Sequence, residues 1–384
     1  MGMAKQVGLE FGSGLIRLVV VEHQRSGERT LVSVDTYSLP EAIDRDGRIV
    51  DEKVVVQTLK QWATQRKMVG ASLVFAIPNE NCQIAWLKLP DVSGSELISV
   101  ARYKLKKQFP RMSDRAVVAV AQPNGPEHES ILIGAERSLV DERANLILKA
   151  GLHPVGAESE AQSILRVIDG HLKGSGSIPE QASVTLVHIG QERTQFMVVK
   201  EGRLNFMRTV KVGHERFETL VSKTLECSRE EAQAHLFSPN SWLLNRRMIA
   251  SMNESFEPID AEEPMESLTK EFRRLIHYFR SIHPDRSYAG ILDRMILLGR
   301  ITTLRGFAPS LADLIGVRLE LLNPLVGLQI ALESDGFLSL QQQSSMYTVA
   351  LGLAQSPYGL VPTQATTEPQ EEETNEYLWT RQSA

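Results

Sequence analysis

The stretch VGLEFGSGLIRLVVVE, from Val7 to Glu22, decides the fold class of this 384-residue chain. It predicts a strand, a glycine-rich turn at Gly12-Ser13-Gly14 and a second strand, because apolar residues that favour strands flank residues that turn easily. The pattern returns in the second half of the chain, where His188-Ile189-Gly190 aligns with Glu10-Phe11-Gly12. The sequence therefore predicts an internal duplication in which each of two lobes opens with a glycine hairpin.

Composition and hydrophobicity exclude several classes of protein. A net charge of -5 gives no basic stripe of the kind that binds nucleic acid. The two cysteines, Cys82 and Cys227, lie far apart in sequence and make neither a disulfide framework nor a cysteine-rich zinc site. No window approaches the roughly 18 continuous apolar residues of a membrane span, and the first residues do not resemble a signal peptide. We expect a cytoplasmic protein with no direct membrane span and no metal site.

Periodicity and turn residues divide the chain into segments, and Gly170–Glu180 is the clearest internal linker. We predict a first lobe at 1–78, an inserted α+β subdomain at 79–160, and a return helix and linker at 161–180. The second lobe should begin at 181–214 and continue at 288–340, with a helical subdomain at 215–287 between its two parts. A helix at 341–355 should return to the first lobe, and an acidic tail at 356–384 should be disordered.

Two glycine hairpins, followed by a late strand that ends at Gly299, resemble the layout of the actin/Hsp70/hexokinase superfamily. Within it the chain resembles the PilM family of type IV pilus assembly, roughly from Gln6 to Ala354. The segments that carry the resemblance include FAIPNENCQIAWLKLP, AGLHPVGAESEAQSIL, HIGQERTQFMVV, LTKEFRRLIHYFR and YTVALGLA. The resemblance implies an α/β fold: a two-lobed, actin-like (ribonuclease H-like, duplicated) architecture with an inserted subdomain of the type called 1C.

Members of this superfamily bind Mg–ATP between their lobes, and the resemblance implies a nucleotide site here too. Its positions would be Glu10, Gly12, Ser13, Gly14, Arg17, His188, Gly190, Thr194, Gly299 and Arg300. Four of them depart from the pattern: Glu10 and His188 replace the aspartates that organise Mg²⁺, Arg17 replaces a lysine, and Arg300 replaces a glycine at the adenosine. We expect ATP and Mg²⁺ binding to be weak or lost, and we assign no catalytic residue.

The family also implies a protein partner. PilM proteins grip the cytoplasmic N-terminal tail of a single-span protein, PilN, in a groove between the 1A and 1C subdomains. An extended tail is recognised by backbone pairing and apolar pockets. We expect Leu73, Phe75, Ile84, Trp86 and Leu87 to line the groove. The resemblance further implies association with the pilus assembly ATPase and inner-membrane platform proteins, with the chain peripheral at the inner membrane through its partners.

Two other functions stay open on the sequence alone. One is an active actin-like ATPase or small-molecule kinase that uses Mg–ATP; the other is an FtsA-like filament or a component resembling GspL of type II secretion. Two features also admit two interpretations each. The basic helix Gly94–Phe109 either packs its apolar side into a core or lies on an anionic membrane surface. The cluster Tyr377-Leu378-Trp379 is either a short docking motif or an apolar terminus.

Overall fold

The structure is a computed structural model, which describes residues 4–44, 47–122, 129–177, 183–200, 202–250, 258–282, 292, 294–332, 340 and 343–357. Contacts divide the chain into two compact units. The first contains Met1–Val167, Gly327–Phe337 and Val349–Ala384, and the second contains Ile168–Val326 and Leu338–Thr348. The predicted acidic tail lies almost wholly outside the described residues.

The first unit is built on a six-stranded sheet. Its strands are β1 (Ala4–Gly12), β2 (Leu15–His23), β3 (Arg29–Ser38), β4 (Ser72–Ile77), β8 (His153–Ser159) and β17 (Gln329–Ile330), in the order β17-β3-β2-β1-β4-β8. β1, β2 and β3 pair antiparallel, whereas β4, β8 and β17 join in parallel. Its helices include α1 (Glu52–Gln65), α3 (Arg137–Lys149) and the first part of α4 (Glu160–Gly174).

A smaller sheet is inserted between β4 and β8. It consists of β5 (Cys82–Lys88), β6 (Val117–Gln122) and β7 (Glu129–Ala135), in the order β5-β7-β6. Helix α2 (Gly94–Gln108) buries Leu97, Ala101 and Leu105 in a core that covers one face of this sheet. The helix therefore packs its apolar side inward, as the first of its two interpretations expects.

The inserted subdomain is shorter than predicted. The prediction ended it at residue 160, but β8 pairs in parallel with β4 and so belongs to the larger sheet. Helix α3 contributes Val140 and Ile147 to the core of that sheet. The boundary was misplaced because a parallel pairing joins segments about 80 residues apart in sequence, which no local pattern reports.

The second unit repeats the strand order of the first. Its strands are β9 (Ser183–Ile189), β10 (Thr194–Lys200), β11 (Arg203–Val210), β15 (Met295–Leu298) and β16 (Leu319–Leu321). The sheet runs β11-β10-β9-β15-β16, an antiparallel hairpin trio followed by parallel strands. The shared order confirms the predicted duplicated α/β architecture.

The subdomain predicted as helical contains a small sheet as well. Helices α5 (Glu215–Thr224), α6 (Arg229–Leu236) and α7 (Glu262–Ile282) accompany strands β12 (Trp242–Leu244), β13 (Arg247–Ile249) and β14 (Ile259–Asp260). Helix α8 (Phe307–Ile315) follows β15. In the β12–β13 turn, Asn245 and Arg246 have φ angles of 47° and 69°, a conformation in which glycine is the more usual residue. No glycine marks it here, so the sequence pattern missed it.

The last described helix, α9 (Thr348–Ala354), is shorter than the predicted helix at 341–355 and follows a 3₁₀ turn at Ser344–Tyr347. Residues 341–342 lie outside the described part of the chain. A Cβ on Gly8 would stand 2.0 Å from the Ala350 carbonyl oxygen, so only glycine lets α9 lie against β1. None of the described helices is both long and apolar enough to cross a membrane.

Candidate functional site

The first glycine hairpin, between β1 and β2, contains an internal ion pair. Glu10 and Arg17 are cross-strand partners, and Arg17 Nη1 donates to Glu10 Oε1 at 2.7 Å. Both side chains are largely buried, at 7% and 13% exposure. Burial raises the pKa of Glu10, while the neighbouring Arg17 cation opposes the rise. The two residues predicted to serve Mg²⁺ and phosphate are therefore bound to each other.

The turn of this hairpin keeps the predicted glycine geometry. Gly14 has a φ of 66°, and its carbonyl oxygen accepts a hydrogen bond from the Leu39 N–H at 2.7 Å. Positive φ favours glycine, which explains this residue at this point of the turn. Gly12, Ser13 and Gly14 lie together at the turn, as the sequence predicted.

The second glycine hairpin, between β9 and β10, is closed by its own backbone. The Gly190 N–H donates to the Arg193 carbonyl oxygen at 2.9 Å. Thr194 is buried, and its hydroxyl donates to the Val212 carbonyl oxygen at 2.6 Å. His188 is half-buried and lies opposite Gln195 in the ladder. Thr194 thus has a structural partner, and position 188 offers an imidazole where the superfamily pattern has a carboxylate.

Gly299 lies at the end of β15, and its surroundings require glycine. Its φ is 107°, and a Cβ there would stand 2.2 Å from the Ile189 carbonyl oxygen. The Gly299 N–H donates to Ser345 Oγ at 2.9 Å. This glycine brings the end of β15 into direct contact with the end of β9, so its first role is to close the second sheet around the hairpin.

Arg300, the next residue, is held on an aromatic ring. Its guanidinium lies 4.0 Å from the centroid of the Phe237 ring, and Nη1 donates to Gln233 Oε1 at 3.2 Å. Guanidinium groups stack well on aromatic faces. Arg300 therefore occupies the flat face of Phe237, beside helix α6, where a planar ligand would otherwise find a stacking surface.

A buried carboxylate near the second hairpin was not predicted. Glu218, with 1% side-chain exposure, accepts from Gln191 Nε2 at 3.0 Å and from Arg229 Nε at 3.2 Å. His214 Nε2 lies 3.3 Å from its other oxygen. Burial acts to raise the pKa of Glu218, but hydrogen bonds from His214, Gln191 and Gln233 and the His214 charge hold that pKa at about 2. The i, i+4 spacing of His214 and Glu218 on a helix was the available signal.

A pocket of about 490 Å³ in the second unit lies next to Phe237. Its lining includes Phe237, Pro239, Leu304 and Leu321, with hydroxyls from Thr302 and Thr303. The apolar rim and the few polar groups are ordinary features of a ligand pocket. The described residues contain no group of three or more His, Cys, Asp or Glu side chains that could hold a metal ion.

A cleft in the first unit, which we call the β6–β8 cleft, lies between the inserted sheet and the larger one. Two edge strands contribute to it, β6 through Val117 and Ala119, and β8 through Ala157 and Glu158; Ile77, Cys82, Ile133, Ala135, Val140, Ser159 and Gln162 complete its lining. Burial raises the pKa of the Cys82 thiol far above its usual range, so this sulfur stays protonated. The lining is mostly small and apolar.

The predicted groove residues fall in three places. Leu73 and Phe75 are fully buried in the core of the first unit, because β4 is flanked by β1 and β8, so neither lines a groove. Leu87 packs against the core under α2. That part of the groove prediction was wrong, since the alternation of a central strand does not show that both of its faces are covered.

Ile84 and Trp86 lie on the opposite face of the inserted sheet from α2. Ile84 pairs with Ile133, which pairs in turn with Ala119, and residues directly opposite in a ladder share a face. Both Ile84 and Trp86 are half-buried. They therefore extend the apolar surface of the β6–β8 cleft, although they do not line its centre.

The chain was compared with known proteins. The family model described as type IV pilus assembly protein PilM matches residues 8–357. A solved structure described as a PilM-PilN type IV pilus biogenesis complex matches with a TM-score of 0.72 at 19% identity, over 94% of this chain and 99% of that chain. No curated protein sequence matches this chain.

Two further solved structures are more distant. The ethanolamine utilization protein EutJ from Carboxydothermus hydrogenoformans has a TM-score of 0.49 at 13% identity, covering 92% of this chain and 90% of that one. MreB 5 of Spiroplasma citri bound to AMPPNP has a TM-score of 0.46 at 13% identity, covering 92% and 95%. The likeness to the PilM-PilN complex, at 19% identity, concerns the fold and supports the expected two-lobed, actin-like architecture.

Proposed function

This chain belongs to the PilM family of type IV pilus assembly proteins, and we propose that it works there as an adaptor that binds the N-terminal tail of a PilN-like membrane partner. The role in pilus assembly follows from the family. The nature of the partner is supported by the solved complex of PilM with PilN, which has the same fold over almost its whole length.

The observation that carries the proposal is the β6–β8 cleft. An extended peptide gains affinity from unpaired main-chain groups and from apolar pockets for alternate side chains. β6 and β8 are both edge strands of their sheets within the described part of the chain. Val117, Ala119 and Ile133 supply the apolar surface between them. The cleft encloses only about 40 Å³, so an extended tail that lies along the strand edges suits it better than a compact ligand does.

We propose further that the chain acts without catalysis and binds Mg–ATP weakly or not at all. The residues of the first hairpin do not fit the metal, because Arg17 holds the Glu10 carboxylate at 2.7 Å. Those of the second unit fit poorly as well, because position 188 carries no oxygen ligand and Arg300 covers the Phe237 ring. Mg²⁺ needs hard oxygen ligands in near-octahedral geometry.

Calorimetry with Mg–ATP tests this second part. The wild type should give negligible heat of binding, and a His188→Asp, Arg300→Gly double variant should bind more tightly because a carboxylate is restored and the aromatic face is uncovered. Low-micromolar affinity in the wild type, with steady formation of ADP, would instead support an ATPase, if phosphate is released, or a kinase, if the phosphoryl group passes to an added acceptor.

Through such a partner the adaptor would lie peripherally at the cytoplasmic face of the inner membrane, beside the pilus assembly ATPase and the platform proteins.

The partner proposal is tested with a fluorescent peptide that carries the cytoplasmic N-terminal residues of the PilN-like protein of the same organism. Ordering a flexible tail lowers affinity, so we expect a micromolar dissociation constant by fluorescence anisotropy.

The Ala119→Glu variant places a carboxylate in the apolar cleft and should weaken binding at least about tenfold, since an unpaired buried charge is unfavourable. Tyr103→Glu is the matched control: it adds the same charge to the same subdomain on helix α2, where Tyr103 is 70% exposed. Circular dichroism confirms folding of both variants. If Ala119→Glu binds the peptide as tightly as Tyr103→Glu, the tail binds elsewhere.

A further inference from the structure

The described chain ends beside the β6–β8 cleft. Ser356 is fully buried, and its hydroxyl donates to Glu158 Oε1 at 2.6 Å. Glu158 is one of the cleft residues. The segment 358–384 therefore begins next to the surface that we propose for the partner tail.

A buried network fixes this point of departure. Arg166 binds both oxygens of Glu158, with two hydrogen bonds of 2.9 Å, and also donates to the Gly352 carbonyl oxygen at 2.6 Å. Bidentate arginine–carboxylate pairs are strong and geometrically specific. Gly352 lies in α9, so the network joins this helix, β8 and the residues that precede the segment 358–384.

The composition of that segment matches the cleft. Most of it is polar or acidic, including Glu371-Glu372-Glu373, but it also contains the aromatic and apolar cluster Tyr377-Leu378-Trp379. The cleft and its extension through Ile84 and Trp86 are apolar. Two exposed cations, Arg111 and Arg115, lie in the loop between α2 and β6 and complement the acidic run; Asp114 is the acidic residue of the same loop.

The segment is also long enough. About 20 residues precede Tyr377 after the last described residue, and a chain of that length has a fully extended reach of about 65 Å. A motif tethered at the edge of a cleft needs only a fraction of this reach.

We propose that Tyr377-Leu378-Trp379 binds in cis in the β6–β8 cleft and competes there with the partner tail. The competition rests on the proposed function, because it requires that a partner tail use the same cleft. The cis motif would keep the apolar surface covered until a partner displaces it, so a pilus adaptor would not expose this surface when it is alone.

The expected size of the effect follows from tethering. Short flexible linkers give effective concentrations of the order of 1 mM, so a motif with an intrinsic dissociation constant of about 0.1–1 mM would occupy the cleft about half to nine-tenths of the time. A competitor that is present for that fraction weakens the apparent affinity for the partner about two- to tenfold.

Photo-crosslinking tests the cis contact in the full chain. A p-benzoylphenylalanine at position 379, in place of Trp379, should crosslink within one chain to Val117–Gln122 or Glu129–Ala135, and mass spectrometry locates the product. Ala119→Glu should remove the product, while Tyr103→Glu should leave it. No discrete product, a product elsewhere, or a crosslinked dimer that shows binding to a second copy would overturn the proposal.

The competition is measured separately with the partner peptide. The variant Tyr377→Ser, Leu378→Ser, Trp379→Ser should bind the peptide about two- to tenfold more tightly than the wild type does. Equal affinity would overturn the competition while the proposed function stands. Failure of both proteins to bind the peptide would instead sink the proposed function, and the crosslink would still decide whether the motif occupies the cleft.

Discussion

Replacing Glu218 by glutamine should make the stability of the second unit less dependent on pH. The substitution keeps the shape of the side chain and removes its charge, which His214, Gln191 and Arg229 stabilise from three directions. Because the folded pKa is depressed from 4.5 to about 2, the stabilisation is fully present above pH 4.5 and is lost as pH falls toward 2.

The magnitude follows from the shift. A difference of this size corresponds to about 3 kcal/mol at neutral pH, since each pKa unit is worth about 1.4 kcal/mol. Between pH 6 and pH 3 the wild type should lose roughly 2 kcal/mol of this contribution to its free energy of unfolding. The side chain is only 1% exposed, so solvent screening takes little from this value.

Urea unfolding followed by circular dichroism at pH 6 and pH 3 provides the measurement. The difference in unfolding free energy between wild type and Glu218→Gln should shrink by about 2 kcal/mol on acidification. Glu263→Gln is the matched control, because Glu263 pairs with Arg216 at 68% exposure and should change stability by no more than about 1 kcal/mol. If the difference between the wild type and the Glu218→Gln variant is the same at both pH values, the idea that folding lowers the pKa of Glu218 is refuted.

Two further perturbations test the hairpins. Gly299→Ala should lower the free energy of unfolding by more than about 3 kcal/mol, because its φ is 107° and its Cβ would stand 2.2 Å from the Ile189 carbonyl oxygen. Gly316 also has a positive φ, but no atom lies within 4 Å of its Cβ, so Gly316→Ala should lose only about 1–2 kcal/mol in the same urea titration. Equal losses would contradict the steric explanation. Arg17→Met should lower the free energy of unfolding by about 3–5 kcal/mol, because it leaves Glu10 buried without its partner. The double variant that also carries Glu10→Gln should recover much of this loss. Additive losses in the double-mutant cycle would show that the two residues are not coupled.

The duplicated hairpins could be predicted because their signal is local. A glycine turn between two apolar runs occupies about 16 residues, and the same pattern at His188 aligned with that at Glu10. The structure keeps the turn at Gly14 with positive φ and repeats the strand order in both units. Two local signals, the residues of the turns and the periodicity of the strands, are therefore enough to predict the fold.

The cleft could not be predicted because its walls come from distant segments. The alternation in β6 puts Val117 and Ala119 on one face, and that much is readable from sequence. Which face α2 covers, however, is decided by the burial of Leu97, Ala101 and Leu105 against the other face. The same limit applies to Glu218: its spacing from His214 is visible, but its burial beside Gln191 and Arg229 is a tertiary property.

Charged residues at or near the two glycine hairpins have partners within their own units. Arg17 neutralises Glu10 inside one hairpin, and Glu218 fixes Gln191 in the turn of the other. Each of these contacts binds one oxygen of its carboxylate, Oε1 of Glu10 and Oε2 of Glu218. Under the adaptor function that we propose, the shape of the β6–β8 cleft would depend on packing within the first unit and not on a nucleotide cycle.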